Sequence, residues 1–529
     1  MKTGIGHDFL TRRGELKIGL IVFVLAIVTR LSQLDAGPNY DELYHLLAAR
    51  SWIDTGTFAI ADGEYTRTPI YTMLTAHVLD LTGSREISAA RLPNVFFGAL
   101  LILLAVLWTY RNAGKTAAIV ISLLLLFWPS GMYVSQYVRF YALHGLLFFA
   151  GAIATYALFL PDKRFWHRIT MATLSAVFFW TALQFQLTTL IGVFCLVAWV
   201  IAFIVLPVIW RQPSRLVIIG VLAAAGVSVL LWALSLGILQ KYWAHYTFSP
   251  WAVDTTFYNR VLRDTYPLFW PITPFLAIAA LRNTPRPAGF CLVISIVGLI
   301  AHTFSGNHNL RYIYYFSPFM FALWAMGVQA VYPAVRTATR SALRDILGPK
   351  ASQLLVNGIL VFAFVFSIIS NMAVTKSMSY ALGKTRPPFK PNFDVTEARN
   401  RLADARDEGA VIVSHNDLFA IEFLDGLDIT FSQNWLPGMQ EFDIDPRTGK
   451  PLIHKLSSLE KVIGCNKRGV FVFLSRWIPR GGYPDFLKTF STSDITFRIE
   501  HTGQIYLFHW ETPPTEMPGA GECSEARPR

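Results

Sequence analysis

Long apolar runs recur along most of the chain, each close to the roughly twenty residues that cross a bilayer as a helix. They predict about eleven spans, near 18–34, 89–110, 116–132, 141–160, 169–186, 190–210, 215–238, 264–281, 288–304, 312–335 and 353–373. The first follows Arg12, Arg13 and Lys17, is longer than a signal-peptide core and lacks a small-x-small cleavage site. It therefore reads as a retained span.

The polar positions between these runs carry a second signal. Lys2, Arg12, Arg13 and Lys17 precede the first span, and basic residues return in every second loop: Arg111 and Lys115; Lys163, Arg164 and Arg168; Arg211 and Arg215; Arg282 and Arg286. Arg336, Arg340, Arg344 and Lys350 complete the series. Positive loops stay cytoplasmic. The N terminus is thus expected inside, with the segments near 35–88, 128–140, 239–263 and Ser305–Arg311 outside. An odd number of spans also sends everything after Met372 to the outer side.

After residue 375 the pattern changes. Lys384, Pro387, Pro388, Lys390 and Pro391 mark a linker at 376–393 that ends the membrane domain 1–375. Asp394 and Glu397 suggest a capping box opening a helix to about Asp407. Short β-rich runs at Ala410–Ser414, Ile429–Ser432, Val470–Leu474 and Ile505–His509 alternate with helical stretches such as Leu456–Ile463. They predict a small α/β domain over 394–512, followed by a Pro/Gly/Glu-rich, disordered tail at 513–529.

Composition supports this division. Only 15% of residues are charged, against about a quarter in soluble domains. The net charge of +12 does not indicate nucleic acid, because the basic residues lie between apolar runs and are not interleaved with aromatics on a soluble face. Cys195 and Cys291 fall in apolar runs as small core residues. Cys465 and Cys523 lie in the polar C-terminal part and could pair in an oxidising compartment.

Candidate chemistry collects in the outer loops. Gly37-Pro38-Asn39-Tyr40-Asp41-Glu42 places two carboxylates just after the first span. Asn39 or Asp41 could cap a short helix with Glu42 at its positive end, or one carboxylate could act as a general base. Arg67-Thr68-Pro69 precedes an amphipathic stretch, and Arg91-Leu92-Pro93 reads as structural. Arg139-Phe140-Tyr141 and Arg311-Tyr312 stand at the mouths of spans, where a guanidinium could hold a phosphate bidentately. In the C-terminal domain, Ser414-His415-Asn416-Asp417 follows a predicted strand, either as a loop cap or as a ligand site.

The order of these features, over roughly residues 15–335, resembles that of the GT-C glycosyltransferases. The likeness is greatest to bacterial relatives of protein O-mannosyltransferases and of the aminoarabinose transferase acting on lipid A. The resemblance implies a polytopic α-helical GT-C fold in a bacterial inner membrane, with the C-terminal domain periplasmic. It implies an inverting transferase that takes a sugar from a polyprenyl-phosphate donor to an envelope glycolipid, glycan or protein hydroxyl. Asp41 becomes the expected base with Glu42 in support, and Arg67, Arg139 and Arg311 the donor-phosphate ligands. Tyr141, His302, His308 and Tyr312 become further substrate contacts. Aminoarabinose transferases carry an acidic residue directly before the basic residue of the loop motif, acting with a histidine on a metal. Here Thr66 holds that place and Glu64 is two residues off. No cofactor is required on this reading, and a divalent metal on His302 or His308 stays open. A transporter or flippase of a lipid-linked sugar is the main rival, because it too would use outward basic residues. A non-catalytic scaffold is a third reading.

Overall fold

The computed structural model describes residues 4–161, 164–211, 220, 254–305, 308–369, 371–385, 394–432, 439–474, 496–502, 505–512, 523 and 526. The expected span at 215–238 (Gly220 apart), the prolines of the linker and the tail from 513 (Cys523 and Ala526 apart) lie outside the described residues. The chain begins with α1 (Gly4–Arg30), α2 (Tyr40–Thr55), a hairpin of β1 (Ala59–Ile60) and β2 (Gly63–Glu64), and α3 (Pro69–Thr82). It continues through α4 (Ile87–Ala113), α5 (Lys115–Leu126), α6 (Pro129–Ser135), α7 (Tyr141–Leu158), α8 (Phe165–Phe185) and α9 (Thr189–Val200). Two compact units result: Met1–Gln33 with Arg91–Pro387, and Leu34–Ala90 with Pro388–Arg529.

The first unit is helical. Among the described residues, five helices are long and apolar enough to cross a membrane: Ile87–Ala113, Tyr141–Leu158, Thr189–Trp210, Pro285–Thr303 and Ser317–Ala342. The chain is a multi-pass membrane protein. α1 and α8 occupy the predicted spans at 18–34 and 169–186 but fall outside this set.

Four predicted spans differ in form. The run at 116–132 is broken into α5 and α6, bent by 62°. Pro129 accounts for the break, since it forces Trp128 out of the helical region (φ −90°, ψ 106°). Such a break strands the last carbonyls of α5. Arg30, fully buried at the end of α1, donates to Leu125 O at 3.1 Å and to Ser135 Oγ at 3.2 Å, tying both sides of the bend. The run at 264–281 is likewise split, into Phe257–Thr265 and Thr273–Asn283, with Pro267 and Pro271 between them. By contrast, 312–335 and 353–373 do not turn back at the basic stretch between them. A single helix, Ser317–Ile369, runs for 53 residues. The helix continues through Arg336–Leu347 and through Gly348-Pro349 beyond it, so charge there marks a polar stretch of helix, not a loop.

The second unit is α/β, and the boundaries 1–375 and 394–512 do not isolate it, because residues 34–90 pack with the C-terminal part. Its sheet adds β3 (Val411–Ser414), β4 (Ile429–Phe431), β5 (Leu452–Ile453), β6 (Arg468–Leu474), β7 (Thr496–Thr502) and β8 (Ile505–Glu511), in the order β5-β4-β3-β6-β8-β7. β5, β4, β3 and β6 are parallel, and β8 and β7 close the edge antiparallel. The core gathers Val411, Val413, Ile429, Ile453, Val462, Phe471 and Trp510. The helix Thr396–Asp407 forms as expected but without the capping box: Asp394 accepts from Thr396 N, one residue ahead of the N-cap Val395.

The expected outer placement of everything after Met372 rested on an odd number of spans, and the 53-residue helix joins two of those spans in one element. Cys465 and Cys523 are disulfide-bonded across a separation of 58 residues. Closing a loop of that length is worth about 4 kcal/mol in the chain-entropy treatment. Cys465→Ser is therefore expected to lower the melting temperature of the α/β unit markedly; an unchanged temperature under non-reducing conditions would contradict the pairing.

Candidate functional site

In the α/β unit the site begins at the N terminus of α2. Asn39 caps it, its side chain accepting from Asp41 N at 3.1 Å, while Glu42 Oε2 accepts from Asn39 N at 2.9 Å in a reciprocal capping box. Glu42 is fully buried. The capping therefore belongs to Asn39 and Glu42, and the half-buried Asp41 carboxylate is not needed for it. His45, Thr72 and Tyr65 join α2 to α3 through bonds of 2.8–2.9 Å.

Tyr40 and Tyr44, one turn apart on α2, meet residues of the C-terminal segment. Tyr40 OH donates to Asp417 Oδ1 at 2.6 Å, and Arg447 Nη1 donates to Tyr44 OH at 2.7 Å. Arg447 also clasps Asp445 with bonds of 2.5–3.0 Å and lies 3.6 Å from Asp417 Oδ2. Burial raises the pKa of Asp417, with Arg447 opposing. Burial also raises Tyr40 well above the usual phenol value, so it remains a donor. Arg447 loses solvation on burial, yet its bonds to Asp445 and the fields of Tyr44, Tyr40 and Asp417 outweigh that loss and hold its charge.

Arg67 is exposed and stands over the Tyr44 ring, 4.3 Å from its centroid. Thr68, beside it, takes a left-handed conformation (φ 40°) that is strained for a β-branched residue. The β1–β2 hairpin closes on the turn at 445–449. Glu64 N donates to Pro446 O at 2.8 Å and Asp62 N to Thr448 O at 3.2 Å. The backbones approach so closely that a Cβ on Gly63 would stand 2.4 Å from Arg447 C, and one on Gly449 2.5 Å from Asp62 C. Lys450 pairs with Asp62 at 2.8 Å.

The helical unit holds a second cluster. Arg139 and Arg311 both stand by the buried Tyr141, their guanidinium carbons 5.7 and 5.5 Å from its ring centroid. Arg139 also faces Phe140 at 5.4 Å, and Arg311 faces Tyr312 at 5.3 Å. Arg311 Nη1 donates to Tyr137 OH at 3.3 Å. The loop carrying Arg139 is held by Asn94, which donates to Tyr137 O and, at 3.0 Å, to Arg139 O. Arg91, on the same helix as Asn94, is fully buried. Two cations framed by aromatic faces make a site for a compact anion.

The sequence-derived candidates thus fall into two groups. Asp41, Glu42 and Arg67 belong to the α/β unit; Arg139, Tyr141, Arg311 and Tyr312 come together in the helical unit. His302 is buried beside Tyr315 OH, 3.2 Å away, and His308 bonds Thr303 O at 3.0 Å. Among the described residues, no three His, Cys, Asp or Glu side chains are placed to hold a metal. Arg447 and Asp445 were not singled out from the sequence, since they sit in a polar turn with no local signature. Asn416 does cap the helix Asp417–Phe423, as its loop-cap reading expected, while Asp417 also reaches Tyr40.

By sequence the chain matches no family model and no curated protein. By structure it is similar to ArnT from Cupriavidus metallidurans in the apo state, with a TM-score of 0.58 and 14% identity over 94% of this chain and 98% of that chain. The same protein bound to undecaprenyl phosphate gives a TM-score of 0.56 and 14% identity over 98% and 100%. The archaeal oligosaccharyltransferase AglB from Archaeoglobus fulgidus, in complex with an inhibitory peptide and a dolichol-phosphate, gives 0.54 and 12% over 96% and 75%. The chain shares the fold of these proteins, the GT-C fold that the resemblance implied.

Asp417 supplies a test of the α/β cluster. With its pKa raised above the ordinary 3.8, the folded chain holds this proton more readily than the unfolded chain. Its contribution to stability is full below the unfolded pKa and is lost as pH rises through the folded one. Relative to Asp417→Asn, the wild-type protein should therefore gain stability as pH falls from about 7 towards about 4. Thermal unfolding across that range would contradict the assignment if the difference stayed flat.

Proposed function

We propose that the protein is a glycosyltransferase that moves a sugar from a polyprenyl-phosphate donor to a hydroxyl of an envelope glycolipid, glycan or protein. The carrying observation is the pairing of Arg139 and Arg311 about Tyr141, within a fold shared with a protein solved with undecaprenyl phosphate. The donor's lipid keeps it in the bilayer, so its phosphate must be met at headgroup depth. Charges placed deeper are costly.

On this reading the acceptor oxygen attacks the anomeric carbon as its proton passes to the Asp41 carboxylate. The bond from that carbon to the phosphate oxygen breaks, and polyprenyl phosphate leaves with the electron pair. Arg139 and Arg311 neutralise the charge that develops there, with Arg67 as a further phosphate ligand. Direct displacement inverts the anomeric configuration. Glu42 serves by holding the start of α2, and Tyr141 and Tyr312 line the phosphate site. His302 and His308 contribute to the substrate surroundings, and no step is assigned to a metal. We place the site on the periplasmic side of a bacterial inner membrane, with a cytoplasmic N terminus; the Cys465–Cys523 disulfide supports an oxidising compartment for the α/β unit.

The 62° break between α5 and α6 favours a second reading, since transporters of lipid-linked substrates use discontinuous helices. Purified protein in vesicles with labelled polyprenyl-phosphate sugars separates the two. Transfer to acceptor supports the enzyme, and passage of intact donor across the bilayer supports the transporter. For the enzyme, Asp41→Asn is expected to lower turnover by about 10²–10⁴-fold with normal membrane insertion. Arg139→Ala and Arg311→Ala should each lower kcat/KM for the donor by at least about tenfold. Full activity in Asp41→Asn would remove the proposed base.

A further inference from the structure

The sheet of the α/β unit has a direction change that bears on α2. From β3 the chain runs to β4 and then β5 on one side, and only later places β6 on the other side of β3. The carboxyl ends of β3 and β6 therefore flank a topological switch point, the place where open α/β sheets bind their ligands. The residues leaving β3 there are Ser414, His415, Asn416 and Asp417. His415 is turned to the sheet, its backbone bonded to Val472 O and its ring stacked on Phe473 at 4.8 Å. Asp417 is 2% exposed, and its carboxylate receives Tyr40 OH from α2. The chain's own helix takes the position a ligand would take.

The hold is made on one face of that helix. Tyr40 and Tyr44 are four residues apart, edge to face at 5.4 Å, and so share a stripe. Asp41 follows Tyr40 by one residue, about 100° around the axis. A helix gripped at Tyr40 and Tyr44 cannot rotate, and its rotation decides where Asp41 points. The same grip reaches Arg67, whose guanidinium lies over the Tyr44 ring that Arg447 holds by its hydroxyl.

We infer that the C-terminal domain is a positioning device for the first outer loop, with Asp417 and Arg447 fixing the rotation of α2 and the place of Arg67. Neither is a catalytic residue; both act through Tyr40 and Tyr44. The inference rests on the proposed roles of Asp41 and Arg67, and its test separates the two.

Full-length wild type, Tyr40→Phe, Arg447→Lys and Asp41→Asn would be compared in lipid nanodiscs by hydrogen exchange and by turnover of an undecaprenyl-phosphate sugar. Tyr40→Phe removes a single hydroxyl, so it decides the matter even if Arg447→Lys does not accumulate. Both variants should exchange faster over residues 40–55 while exchange over residues 91–113 is unchanged. Their kcat should fall by about ten- to a hundredfold, with donor KM changed less than about twofold. Unchanged exchange over 40–55 would overturn the grip, and faster exchange with unaltered kcat would overturn its positioning role. Asp41→Asn should lower turnover by about 10²–10⁴-fold with wild-type exchange. If instead it stays active while Tyr40→Phe and Arg447→Lys are slow, the assignment of the base fails and the positioning of the loop stands.

Discussion

One guanidinium joins stretches of chain 403 residues apart: Arg447 bonds Tyr44 while clasping Asp445 and facing Asp417. Both carboxylates are almost fully buried, and a cation between them removes what would otherwise be an uncompensated charge. Without this arrangement the loop after α1 would be a long connection between two membrane helices. With it, the loop becomes part of an ordered α/β body. The close approach of the hairpin at Gly63 to the turn at Gly449 depends on the same registration.

The helical unit answers a different constraint. Where helices break in an apolar interior, stranded backbone groups must find partners inside the protein. Arg30 does this at the α5–α6 bend, using a buried cation on a carbonyl and a hydroxyl. Arg139 and Arg311 are also cations in poorly solvated surroundings, but they face aromatic rings. Chemically alike residues thus stand in different surroundings, Arg30 against backbone and hydroxyl oxygens and Arg139 and Arg311 against ring faces.

Much of this was legible locally. Apolar runs located α4, α7, α9 and Pro285–Thr303, because a bilayer-length run of helix formers has few other outcomes. β3, β4, β6 and β8 were also legible, as short apolar β-rich runs. β7 was missed because its apolar residues, Phe497 and Ile499, alternate with polar ones and form no run. The misreadings share a cause. Charge was taken to mark a loop at Arg336–Lys350, and a continuous apolar run was taken to mean a continuous helix at 116–132. Pro129 decided otherwise at 116–132, while at Arg336–Lys350 the helix runs on through the charged stretch, Gly348-Pro349 included.

The sequence by itself determined the membrane class, the composition change near 375 and the identity of the charged candidates at span mouths, because hydrophobic length and local capping act over a few residues. Asn39 is a case in point: of the two cap candidates the residues offered, Asn39 and Asp41, Asn39 forms the cap. Only the tertiary structure decided that residues 34–90 and the C-terminal domain make one body, that Arg139 and Arg311 share Tyr141, and that Asp417 and Arg447 hold α2. These are pairings across hundreds of residues. Nothing in either partner's neighbourhood specifies the other, so they exist only once the chain has folded back on itself.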